Sequence, residues 1–207
     1  MRVAAPPLVE KALRDAGGRM AMLHAVATLG LPDAWIAAGA IRNAVWDALH
    51  GYTCSTPLSD VDVVWFDPDH ADGQVDQRLE QWLTARMPSV TWSVKNQARM
   101  HTRHGDAPYT GTLDAMRAWP ETATAVATRL GRSGIECCAP YGVEDLSTLI
   151  LRPTPRFASA PAVFDERVRS KCWLTTWPRL RVLRADDQAA VNSCSSLACW
   201  SAEWSAP

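Results

Sequence analysis

The chain has no C-x-x-C pair, no His-x-x-x-His motif and no apolar run of membrane-spanning length. Each absence excludes something. The six cysteines, Cys54, Cys137, Cys138, Cys172, Cys194 and Cys199, lack zinc-site spacing, so no structural zinc module is expected. Without a stretch of about 18 to 20 apolar residues, no segment can cross a bilayer as a helix. Net charge is scarce as well: 21 Lys and Arg against 22 Asp and Glu leave −1. No global field therefore draws in nucleic acid or a lipid surface, and general DNA binding is not expected. Nothing at the start reads as a secretory signal, so the expectation is a cytoplasmic protein with reduced thiols.

What remains is an ordinary globular composition, 47% hydrophobic and 21% charged over 207 residues, enough for one domain with a real core. The ten tryptophans are scattered from Trp35 to Trp204 and read as core or groove lining. Leu8, Leu13, Met20, Leu23, Val26 and Leu29 recur at helical spacing, broken by Gly17-Gly18, which predicts two helices or one kinked helix. A short strand at "AWIAAG" runs into a helix over Ala40–His50, with Gly51 as its left-handed cap. Further strands are expected at "DVDVVWF" and "SVTWSVKNQARM", and a helix around Val75–Arg86. Later helices are expected from Pro120 to Leu130, through "YGVEDLSTLILRPTP", and from about Ala160 to Leu174; vicinal Cys137-Cys138 ends a strand. Beyond Arg184 periodicity is lost, and residues 185–207 read as a poorly ordered tail after a domain spanning 1–184. The fold class is α+β, with a small mixed sheet flanked by helices.

The chemistry concentrates between Ala38 and Phe66. Asp60 and Asp62, at i and i+2 of a strand, present two carboxylates to one spot. Such a pair is costly to desolvate unless a cation sits between, and Mg²⁺, held by one or two carboxylates together with substrate phosphates, suits it. Upstream, Gly39 closes a strand and opens a helix whose free N–H groups make an anion site, with Arg42 in the first turn to add charge-assisted bonds. An anion cradle followed about twenty residues later by a carboxylate pair implies a nucleoside triphosphate with its metal. Asp67, before Pro68, reads as a turn former. Lys95, Gln97 and Arg99 alternate on one face with Ser93, either as a solvated surface or as a floor for phosphates or an acceptor. His101 and His104 read as loop residues, and Asp145 as a first-turn acid or a cleft residue.

The stretch "AGAIRNAVWDALHG…SDVDVVWF" resembles the signature of the polymerase-beta-like nucleotidyltransferase superfamily, with Ala38 in place of a first glycine and Asn43 in place of an aspartate. The ordered set "GAIRNAVWDALHG", "SDVDVVWFD", "VKNQARMH", "APYGVEDL" and "KCWLTTWPRL" is similar to an uncharacterised bacterial nucleotidyltransferase-like group, over roughly Leu23–Leu183. The resemblance implies a sheet of nucleotidyltransferase type. It implies an enzyme that moves a nucleoside monophosphate from a triphosphate (ATP foremost) to an acceptor hydroxyl, releasing pyrophosphate. The acceptor could be a small molecule, a tRNA or a protein. Asp60 and Asp62 would be catalytic and hold Mg²⁺; Gly39, Ala40, Arg42, Asn43, Lys95 and Arg99 would bind the nucleotide. The superfamily adds a third carboxylate on a neighbouring strand, where relatives carry glutamate and this chain has Ser93. No Asp or Glu occurs from Gln81 to Gly105. Either Asp106, Glu144 or Asp145 substitutes, or the chain is a weakened enzyme or a nucleotide-binding module.

Overall fold

The computed structural model describes residues 2–103 and 105–184. The tail expected at 185–207 and the reading of His104 lie outside these residues.

The first element is a strand, β1 (Arg2–Ala4), followed by α1 (Pro7–Asp15) and α2 (Arg19–Ala27), the two helices foreshadowed by the glycine break. Strand β2 (Trp35–Ala37) leads into α3 (Gly39–His50). That helix ends where Gly51 takes φ 71° and the Gly51 and Tyr52 amides reach back to the Ala48 and Asp47 carbonyls. Next come β3 (Val61–Trp65), α4 (Gly73–Arg86) and β4 (Trp92–Asn96). After α5 (Thr112–Met116), a hairpin of β5 (Ala127–Gly131) and β6 (Gly134–Cys138) completes the main sheet. The chain finishes with α6 (Glu144–Ser147), β7 (Ile150–Leu151), α7 (Pro155–Ala158), α8 (Pro161–Ser170), α9 (Trp173–Thr176) and β8 (Arg181–Val182).

The six-stranded sheet has the order β1-β6-β5-β2-β3-β4, antiparallel throughout except for β3 and β4. Alternation sorts its side chains onto two faces. Ile36, Val61, Val63, Trp65, Trp92, Val94, Ile135 and Cys137 join one large core with residues of α1 to α4 and of α8 to α9. The opposite face carries only a small cluster around Trp35, Ala37, Val64, Met116, Ala127 and Cys138. Asp62 and Ser93 belong to this thinly covered face, which leaves room for a cleft.

Four expectations need correction. The strand at "SVTWSVKNQARM" stops at Asn96, and Gln97–Arg103 form a 3-10 helix. Asn96 ends it because its side chain donates to the Asp67 and His70 carbonyls and accepts from the Asp67 and Ala98 amides, turning the chain. The helix expected from Pro120 to Leu130 is absent. Glu121 bridges to Pro153, residues 122–125 make a single turn closed by the Thr124 and Ala125 amides on the Glu121 carbonyl, and β5 begins at Ala127; the β-branched Thr122, Thr124, Val126 and Thr128 disfavour a longer helix. "YGVEDLSTLILRPTP" divides into α6 and β7 at Leu149, which has φ 59°. The last helix breaks at Cys172, φ 51°, into α8 and α9.

Candidate active site

Because β2 and β3 are antiparallel, the end of β2 lies beside the start of β3: Ala37 is opposite Asp62. The start of α3, two residues past Ala37, therefore meets the carboxylate pair at one end of these two interior strands. Asp60 sits just before the strand and Asp62 within it, and both line a cleft of about 400 Å³ with Gly39, Arg42 and Asn43. A groove of similar volume, between α2 and the β5–β6 hairpin, holds only Glu136 as an acid, and Arg129 neutralises it at 2.6 Å.

Among the described residues neither Asp60 nor Asp62 forms an ion pair; Asp60 accepts only the Ser59 hydroxyl, at 2.7 Å. Burial, and then the charge of Asp60, raises the Asp62 carboxyl above its ordinary range, while the Ser93 hydroxyl, Arg42 and Lys95 pull it back. Two neighbouring carboxylates with no ion-pair partner among the described residues fit a hard divalent ion. No third His, Cys, Asp or Glu joins them among the described residues. Ser93, on β4, lies directly across from Asp62.

The helix start carries no side-chain cap. The Ile41 and Arg42 amides bond the Ala38 carbonyl, which leaves the Gly39 and Ala40 amides for an incoming anion. A Cβ on Gly39 would meet only Arg42, at 3.7 Å, so the glycine keeps the cradle open rather than relieving a clash. Ala38 adopts φ 53° and ψ −119°, a conformation that suits glycine, so backbone strain is stored beside the cradle.

Arg42 lines the same cleft and is 8% exposed. Its Nη1 donates to Thr124 Oγ1 and its Nη2 to Asn43 Oδ1, both at 3.0 Å. The guanidinium lies 4.5 Å from the Trp173 ring centroid and 5.0 Å from that of Trp46, and its buried Nε has no partner. Burial lowers its pKa to about 10, opposed mainly by Glu121, so it remains a cation near neutral pH. Beyond it, fully buried Glu121 accepts from Arg167 Nε at 2.5 Å, and Arg167, Ser170 and Lys171 of the α8–α9 segment line the cleft.

One buried carboxylate joins these parts. Asp47 of α3 accepts from Trp177 Nε1 at 2.8 Å, the Thr56 amide at 2.8 Å and the Thr56 hydroxyl at 2.6 Å. It thereby fixes the loop that carries Asp60 and the segment that carries Lys171.

Other expected site residues lie elsewhere. The Ala40 side chain is packed in the large core, so only its backbone can serve the cleft. Lys95 bonds Glu80 at 2.8 Å, and Arg99 pairs with buried Asp76; neither lines the cleft. Arg99 is not on the strand face because the strand has already ended. Asp106 binds Arg156 and Tyr109, Asp145 binds Arg152 and Thr122, and Glu144 is exposed, so none replaces the missing acid. Asp67 caps the turn at Pro68–His70, and His101 bonds the Ala98 carbonyl. The site also includes Thr124, Arg167, Lys171, Trp173 and Trp177, which sequence reasoning did not assign. The landmark "KCWLTTWPRL" was the available signal for Lys171, Trp173 and Trp177; Thr124 and Arg167 had none.

Comparison with known proteins gives the family and the fold. The sequence model of a nucleotidyltransferase family matches residues 24–182. A search among curated proteins found no match. A solved structure described as a CCA-adding enzyme head domain is 34% identical, with TM-score 0.76, 88% of this chain and 98% of that one covered. A CCA-adding enzyme in complex with CTP (11% identity, TM-score 0.54) matches over 94% of this chain and 47% of its own. The Thermotoga maritima CCA-adding enzyme complexed with tRNA (11% identity, TM-score 0.56) matches over 95% and 46%. The last two are likenesses of fold, and the chain spans about half the length of each.

Proposed function

This chain belongs to the nucleotidyltransferase family, and we propose that it transfers a nucleoside monophosphate from a triphosphate to an acceptor hydroxyl with release of pyrophosphate. The observation that carries this reading is the register that sets Gly39 and the α3 start beside Asp60 and Asp62.

In the reaction the acceptor hydroxyl oxygen forms a bond to the α-phosphorus as the bond from that phosphorus to the α–β bridging oxygen breaks; pyrophosphate leaves with that oxygen, and the hydroxyl proton passes to solvent water. The Gly39 and Ala40 amides, with Arg42, hold the phosphates, and the buried guanidinium meets the negative charge that builds on the leaving group. Its two tryptophans and Thr124 keep that cation in place, so little reorganisation is needed. Asp60 and Asp62 would hold Mg²⁺, which when bound supplies charge neutralisation and orients the reacting oxygens. Ser93 keeps the Asp62 carboxylate oriented but cannot act as a base near neutral pH.

The acceptor class is open to small molecules, tRNA and protein. Solved structures of CCA-adding enzymes with CTP, with ATP and with tRNA make these three the first substrates to try. Among the described residues no helix is long and apolar enough to cross a membrane, and a membrane acceptor is not part of the proposal.

A second reading is favoured by one observation. With Ser93 opposite Asp62 and no third acid grouped with the pair among the described residues, the chain would bind nucleotide without turnover. Pyrophosphate release separates the two. It is measured together with binding of an ATP analogue whose α–β bridge resists cleavage, with and without Mg²⁺. Wild type, Asp60→Ala with Asp62→Ala, and Ser93→Glu form the set. Metal-dependent binding lost in the double variant supports the site. Release by wild type supports the enzyme, and release only in Ser93→Glu supports the binding module. Binding indifferent to both aspartates sinks both readings.

A further inference from the structure

We propose that Lys171 binds the terminal phosphates of the triphosphate, so that the α8–α9 segment sets the preference for triphosphate over monophosphate. The inference rests on the nucleotide-binding reading above.

The charges around the cleft leave two cations without an acidic partner. Of the three that line it, Arg167 is neutralised by buried Glu121, while Arg42, oriented by Thr124, Asn43 and two tryptophan rings, is the one already assigned to the phosphates at α3. The acids nearest Lys171 in sequence are already taken: Asp165 pairs with Arg184 and Glu166 with Arg169. Lys171 forms no ion pair among the described residues, yet it lines the same cleft as Gly39, Asp60 and Asp62.

Its backbone is also held from both sides. The Lys171 amide closes α8 onto the Arg167 carbonyl at 3.1 Å. Two residues on, Trp173 is 3% exposed, wedged edge-on against Trp46 and under Arg42. Further along, Trp177 donates to Asp47, and Tyr52 Oη donates to the Thr176 carbonyl at 2.6 Å. A lysine on a pinned segment loses less freedom on binding than one on a loose loop.

The neighbours guide the phosphate assignment. Asp62 adjoins the start of α3, Arg42 lies in its first turn with Trp173 against its guanidinium, and Lys171, two residues before Trp173, lines the same cleft. With the α-phosphate at the carboxylates, Arg42 and Lys171, the two lining cations with no ion pair among the described residues, remain to meet the other phosphates.

The test is calorimetric titration of the full chain, in Mg²⁺, with the uncleavable ATP analogue and with AMP, on wild type, Lys171→Ala, Lys171→Arg and Asp60→Ala with Asp62→Ala. Lys171→Ala is expected to weaken the analogue by about tenfold and to leave AMP within about twofold, with Lys171→Arg recovering most of the loss. Unchanged affinity for the analogue in Lys171→Ala, or equal losses for both ligands, overturns the assignment. If wild type binds and only the aspartate variant loses binding, this inference fails while the nucleotide site stands. If wild type binds neither ligand, both fall. A melting curve on each variant separates lost binding from lost folding.

Discussion

The carboxylate wall of the cleft comes from one short stretch, Ala38 to Asp62, whereas most of the cationic wall is assembled from α8 and α9, far along the chain. In the first, strand register alone brings the groups together, since Ala37 and Asp62 are direct partners. In the second, packing does so: Trp173 and Trp177 seat the segment on Trp46 and Asp47. The first wall is written as a local motif. The second depends on tertiary contacts between residues with no periodic relation, and so it is vulnerable to changes that leave the motif untouched.

The sharpest way to break the comparison is to remove the carboxylates. Asp60→Ala with Asp62→Ala should lower pyrophosphate release by on the order of 10³-fold, or abolish metal-dependent binding, while the fold persists in a melting curve. Next, Trp173→Ala should cost about 3 to 5 kcal/mol in denaturant unfolding, because it empties a buried site and uncovers Arg42. Trp177→Phe is a gentler probe. Asp47 keeps its two Thr56 bonds, so the loss should be about 1 to 2 kcal/mol.

A smaller effect should appear with pH. In metal-free protein the Asp62 carboxyl, raised mainly by burial and then by Asp60, holds its proton more tightly folded than unfolded. A raised acid favours the folded state as pH falls through its folded value, and that benefit is lost as pH rises. Asp62→Asn should remove this slope and stabilise the metal-free chain near neutral pH, as followed by thermal melts across the acidic range. The smallest effect is expected from Ala38→Gly. It relieves the positive φ at the cradle but adds flexibility to the unfolded chain, for a net gain of about 1 kcal/mol or less.

Where the sequence was legible follows the same division. The β2–α3 turn, the Gly51 cap and the alternation around Asp62 are local signals, and each has its counterpart in the structure. Pro120 to Leu130 misled because a proline can open a helix, whereas here a turn at residues 122–125 hands the chain to β5 and buried Glu121 is tied to Arg167. Arg99 was misplaced because the strand ends in the side-chain bonds of Asn96, a tertiary knot with no periodic trace. The family landmark around Lys171 flagged that segment, but nothing in its spacing put the lysine beside Asp60.

The Asp47 junction also has a consequence for the order of events during synthesis. The carboxylates and the helix start leave the ribosome early, but Trp177, which locks the second wall, follows on the order of ten seconds later at ordinary elongation rates. Until then the nascent chain exposes two crowded aspartates and an uncovered Arg42, with Asp47 short of one donor. A stalled or truncated product would therefore carry the recognisable motif without its finished pocket.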